Sequence, residues 1–121
     1  VQRPRTNTPL QALVTLNDPV YIEAAQALAR RMVKAGDAIA ERLRHGFSLC
    51  VGRLPQEAEL KRLVTFYEET KARYAEDPDL AQAMATNPIG PAPEGSDHVE
   101  LAALTVAGNV LLNLDEMLMK R

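Results

Sequence analysis

Two histidines, one cysteine and a few adjacent carboxylates are the residues of this 121-residue chain that could do chemistry. Their spacing limits what that chemistry could be. His45 falls mid-helix beside Arg44, and His98 falls in the first turn of the last predicted helix. A zinc or catalytic metal site needs three or four converging ligands, and neither histidine has a second His or Cys at helical spacing. Both are read as surface or half-buried structural residues, and His98, close to a positive helix end, is poorly placed to hold a proton. Cys50 shares a stripe with Leu43 and Phe47. A nucleophilic thiolate needs a paired base, which the sequence does not nominate, so Cys50 reads as a small core hydrophobe. Glu68-Glu69 and Asp115-Glu116 are neighbours on helices and therefore diverge, whereas an acid–base pair must converge across a cleft. The sequence has no Cys-x-x-Cys pair, no haem-attachment Cys-x-x-Cys-His, no glycine-rich phosphate loop and no His-Glu-x-x-His. No catalytic, cofactor-binding or metal-binding residue is therefore assigned.

The polar residues that stand out do so by their surroundings. Asn7, Asn17 and Asp18 bracket the first predicted helix, and Asn109 and Asn113 sit one turn apart on a strongly apolar last helix. A buried amide costs free energy unless it is hydrogen-bonded. The preferred reading makes this cluster structural, tying the opening segment to the last helix. The other reading is a polar docking groove for a partner or small ligand.

The elements that must position these residues are helices. Apolar residues make up 46% of the chain and aromatics only 4%, with no Trp, so the core must be built from Leu, Val, Ala and Met. Thr8-Pro9 opens a short helix ending near Asn17, and Asp18-Pro19 repeats that start. Tyr21, Ala24, Ala25, Leu28 and Met32 then fall on one face, with Glu23, Gln26, Arg30, Arg31 and Lys34 largely opposite. Gly36 is the predicted stop, and Asp37 the predicted cap of a helix carrying Ile39, Leu43, Phe47 and Cys50 as far as Gly52. A fourth helix starts around Pro55 or Gln56 and buries Leu60, Leu63, Val64, Tyr67 and Tyr74. Asp77-Pro78 opens a short helix to about Ala85. Residues 86–96, with three prolines and two glycines, form a loop expected to be the most mobile part. Asp97 and Glu100 make a capping box for the last helix, roughly 98–119, whose only polar line is Thr105, Asn109, Asn113, Glu116 and Lys120. A helix apolar around most of its girth must be surrounded. The expected fold is all-α: one domain over 1–121, an irregular or orthogonal bundle of five to six helices around the C-terminal helix.

A net charge of −2 argues against a general affinity for nucleic acid, which attracts a basic field. Lys and Arg dominate residues 1–53 and Asp and Glu dominate 54–121, read as complementary faces of neighbouring helices or contact with an adjoining domain. No apolar run approaches the roughly 20 residues that span a bilayer. The single cysteine excludes an internal disulfide and leaves the redox compartment open. Opening at Val1, the chain is expected to be a domain excised from a larger protein.

Four stretches, in order, carry a family resemblance. They are Arg5-Thr6-Asn7-Thr8-Pro9-Leu10-Gln11-Ala12-Leu13; Leu16-Asn17-Asp18-Pro19; Phe47 to Gly52-Arg53 with Pro55; and Glu100-Leu101-Ala102-Ala103 running into Val110-Leu111-Leu112-Asn113-Leu114-Asp115-Glu116. With these the chain resembles the C-terminal planctomycete-specific, cytochrome-associated domain of unknown function. Such domains tend to show Thr-Pro and acidic residues after the Gly-Arg-x-Pro turn. Here Gln56-Glu57 stands instead, which removes a good cap. The resemblance implies an exported parent, periplasmic or extracellular, with cytochrome-c-like domains and another domain of unknown function upstream. Any haem belongs to those domains, and none to this chain.

The expected function is a non-catalytic module that completes the larger protein by binding or docking to its neighbouring domains. The rival is an enzyme fragment supplying one wall of an active site whose chemistry lies in the N-terminal part. A third reading is a scaffold for assembly using the 86–96 loop.

Overall fold

The computed structural model describes the backbone of residues 19–119 and the side-chain surroundings of residues 22–114. Five helices follow one another: α1 (Pro19–Val33), α2 (Ile39–Val51), α3 (Glu57–Ala75), α4 (Pro78–Thr86) and α5 (His98–Met119). No strand occurs among the described residues, so the fold is all-α as expected. The predicted helix opening at Thr8 lies outside the described residues, with Asn7, Asn17 and Asp18.

α5 is the axis. It touches each of the other four helices, α1 most extensively. Every residue from 101 to 109 is buried. Leu104 is fully enclosed, while Val110 and Leu114 are half-buried. The first two residues of the expected polar line are sheathed with the rest, Thr105 and Asn109 being only 2% and 6% exposed, while Asn113 is exposed. Thr105 answers for its own burial: its hydroxyl donates to the Leu101 carbonyl one turn back, at 2.8 Å. Thr70 on α3 does the same to Phe66, also at 2.8 Å.

Small residues let the helices approach closely. A Cβ on Gly108 would stand 3.3 Å from the Ala25 carbonyl oxygen and 3.3 Å from Leu28 Cδ2, which marks the tight crossing of α1 and α5. Along α1 the inward face is Ala25, Leu28, Ala29 and Met32, joined by Gln26; Ala24, expected inside, is exposed.

Helix ends follow local chemistry in most places. Gly52 closes α2 in the left-handed region at φ 86°, its N–H donating to Ser48. Asp77 caps α4 by accepting the Leu80 N–H at 3.2 Å, with Pro78 in the first turn. Two predicted ends differ. α1 closes through the Lys34 and Ala35 N–H groups donating to Arg31 and Met32 carbonyls, and Gly36 does not take positive φ. Ala38, not Asp37, is the residue before α2, with no side-chain cap. Packing sets this register: Leu43 and Phe47 are buried, and the Arg42 guanidinium Nε reaches back 2.7 Å to the Gly36 carbonyl.

The Gln56 departure does not leave α3 without a start. The Glu59 carboxylate accepts the Gln56 N–H at 2.8 Å and receives the Arg53 guanidinium as a fork, both arms at 3.0 Å. Those donors, the Arg53 hydrogen bonds foremost, hold the Glu59 carboxyl down from its ordinary 4.5 to about 2. A depressed acid contributes its stabilisation above the unfolded pKa and loses it as pH falls toward the folded one. Urea midpoints of the wild type and Glu59→Gln are therefore expected to differ above the ordinary carboxylate range and to converge on approach to about pH 2. A gap that ignores pH would show that the charge plays no part.

Candidate functional site

The polar chemistry of the bundle gathers where α1 meets the end of α4. Gln26, expected on the wet face, is fully buried. Its amide nitrogen donates to the Met84 carbonyl at 2.6 Å and the Asn87 carbonyl at 2.9 Å, and its oxygen accepts the Ile89 N–H at 3.2 Å. One turn on, Arg30 Nη2 donates to the Ala85 carbonyl at 3.1 Å and the Gly90 carbonyl at 2.7 Å. Arg30 Nε is buried with no hydrogen-bond partner. The last carbonyls of a helix have no partner within it. Here two side chains of α1 cap α4 from outside and carry on into the loop, with the Arg30 charge at the negative end of α4. The first half of the 86–96 loop is thus fastened down. The available signal was a lone Gln inside Ala24-Ala25-Gln26-Ala27-Leu28-Ala29.

Fixing that loop shapes a concavity of about 600 Å³ between the end of α4, the loop and the start of α5. Gln82, Thr86, Asn87, Ser96 and His98 supply its polar lining, and Gly90 to Pro93 complete it. No Asp, Glu, Lys or Arg is among its described lining residues. A second hollow, about 440 Å³, lies on the outer face of α3 around Lys61, Arg62 and Phe66.

A further polar locus joins α2, α3 and α5. Arg42 Nη1 donates to Glu100 Oε2 at 2.9 Å. Glu100 is thereby drawn out of its expected capping box, and Asp97 alone caps α5, accepting the Val99 N–H at 3.0 Å. Burial, and then the negative field of Glu100, push the Tyr67 hydroxyl well above its usual range, so it stays protonated.

Of the five predicted polar residues, Asn109 and Asn113 do meet: Asn113 Nδ2 donates to Asn109 Oδ1 at 3.3 Å, the first residue buried and the second exposed. Asn7, Asn17 and Asp18 fall outside the described residues. His45 is exposed on α2, while His98 is half-buried and faces the concavity. Cys50 is half-buried against the core. Glu68 and Glu69 are exposed, and the Asp115 and Glu116 side chains lie outside the described set. Among the described residues no cluster of three or more His, Cys, Asp or Glu could hold a metal ion, and no helix is long and apolar enough to cross a membrane.

Comparison with curated proteins and with solved structures gives no match. The model of the PSD1 family, proteins of unknown function (DUF1553), matches residues 1–67, from the opening motif through α1 and α2 into α3. That is more than half of the chain, and the chain belongs to this family.

Proposed function

We propose that this chain is a non-catalytic helical module of a larger exported protein, which it completes by docking against neighbouring domains. In this reading the chain carries no cofactor, and haem resides in cytochrome-c-like domains of the longer protein. The observation that carries it is the corner between α2 and α3. Leu49, near the end of α2, and Leu54, in the link to α3, are 42% and 66% exposed there. Gly52 fixes the backbone, Arg53 forks onto Glu59, and the same guanidinium lies 5.1 Å from the centre of the Phe47 ring. Two leucines displayed on a rigid support suit a preformed contact, because little freedom is lost when it is covered. The buried polar groups support the same reading, since Gln26 and Arg30 serve backbone carbonyls of their own fold.

Leu54→Asp tests it. In the isolated chain an exposed substitution is expected to change stability by no more than about 0.5 kcal/mol. In the full-length protein the same change is expected to loosen the junction, with limited proteolysis cutting between this module and its neighbour at least about tenfold faster. Unchanged proteolysis of the full-length variant would remove the docking role.

A further inference from the structure

We propose that the concavity between α4, the loop and the start of α5 binds a neutral, hydroxyl-rich ligand of the saccharide class. This goes beyond the docking reading and uses a different surface. Its volume, about 600 Å³, falls within the range of small-molecule sites. The lining decides the ligand class. Asp, Glu, Lys and Arg make up 25% of the chain, yet none of them is among the described lining. Its polar groups are the amides of Gln82 and Asn87, the hydroxyls of Thr86 and Ser96, and the imidazole of His98. Amides offer donor and acceptor side by side, as vicinal sugar hydroxyls require. Thr86 already donates to the Gln82 carbonyl at 2.7 Å, which leaves its oxygen as an acceptor. No Lys or Arg side chain is among the lining to hold an anion, and at the nearby α5 terminus the Asp97 carboxylate already takes the Val99 N–H. Pro91 and Pro93 present apolar edges for C–H faces.

The second observation is the support beneath the site. Four hydrogen bonds donated by Gln26 and Arg30 and one accepted by Gln26 fix the backbone at Met84, Ala85, Asn87, Gly90 and Ile89. An irregular loop held from below by buried side chains is ordered before any ligand arrives, which lowers the cost of binding. The site is open and shallow, so affinity is expected in the millimolar range.

The test is a titration of the full chain with maltose and with cellobiose, followed by amide NMR. Glucuronate and a proline-rich peptide serve as comparisons. The expected result is saturable shifts confined to residues 82–98, larger for a neutral disaccharide than for either comparison. Asn87→Ala and Ser96→Ala, each checked for an unchanged melting temperature, should weaken binding by about threefold or more. Lys61→Ala, on the α3 hollow, and Leu54→Asp should leave it unchanged, so failure here is distinct from failure of the docking corner. Absence of shifts at tens of millimolar disaccharide, or shifts equally large with glucuronate or the peptide, would overturn the assignment. So would undiminished binding by both Asn87→Ala and Ser96→Ala.

Discussion

Gly46→Ala is expected to destabilise the protein by about 1–3 kcal/mol, opposite in sign to the usual effect of that change within a helix. Interior glycine normally costs a helix about 0.5–1 kcal/mol relative to alanine, so the substitution should help. At Gly46 the space is already taken. A Cβ there would overlap the Met32 sulfur, lie 2.9 Å from Met32 Cγ and 3.2 Å from Leu111 Cδ1. Met32 and Leu111 are both fully buried, so neither has open space to move into. Methionine is the most yielding of core side chains, which keeps the expected loss moderate. Gly46→Val would lose the helical gain and add bulk, and should cost more. Gly108→Ala is the internal comparison: its contacts at 3.3 Å call for a shift of a few tenths of an ångström, which the gain in helix propensity largely offsets. Urea unfolding of the three variants orders them. A Gly46→Ala protein as stable as the wild type would mean that the α1–α2–α5 packing is looser than described.

What could be read from the sequence was the part written in local chemistry. Asp77-Pro78, Gly52 and Asp97 mark helix ends because cap and partner lie within a few residues. The unbroken burial of 101–109 follows from an apolar pattern with too little polar surface to face water. Expectations failed where a distant group intervened. Glu100 has the spacing of a capping partner, yet it pairs with Arg42, 58 residues away in sequence. Asp37 has the chemistry of a cap, but the packing of Leu43 and Phe47 starts α2 beyond it. Helical periodicity sets Gln26 opposite the apolar face, yet it is buried, and its partners are backbone atoms at Met84, Asn87 and Ile89. Every residue carries such atoms, so no pattern of side chains could announce them. The concavity is hidden for the same reason: it exists only once Gln26 and Arg30 have set the path of the loop. The Asn109–Asn113 hydrogen bond lies within a single helix, at one-turn spacing, and is side chain to side chain rather than a tie to the opening segment.

The buried amide is where the second large effect is expected. Gln26→Leu keeps the volume close and strips three hydrogen bonds, leaving the Met84 and Asn87 carbonyls and the Ile89 N–H without their partners. An unsatisfied buried group costs about 1–3 kcal/mol, and water can reach part of this loop, so a net loss of about 2–4 kcal/mol is expected. Gln26→Glu discriminates further. An ionised carboxylate has no hydrogen to give the two carbonyls and is fully desolvated, so near neutral pH this variant should be the less stable of the two. Burial would raise its pKa above the unfolded value; the protonated form, which donates one hydrogen bond, should then recover stability as pH falls through that raised pKa. Hydrogen exchange locates the damage. In Gln26→Leu the Ile89 amide should lose its protection at denaturant concentrations that leave residues 101–109 closed, because the loop opens before the bundle does. If instead Ile89 and α5 lose protection together, α4 and the loop unfold as one unit with the core. The clamp would then be part of global stability, and the loop would have no separate opening for Gln26 to restrain.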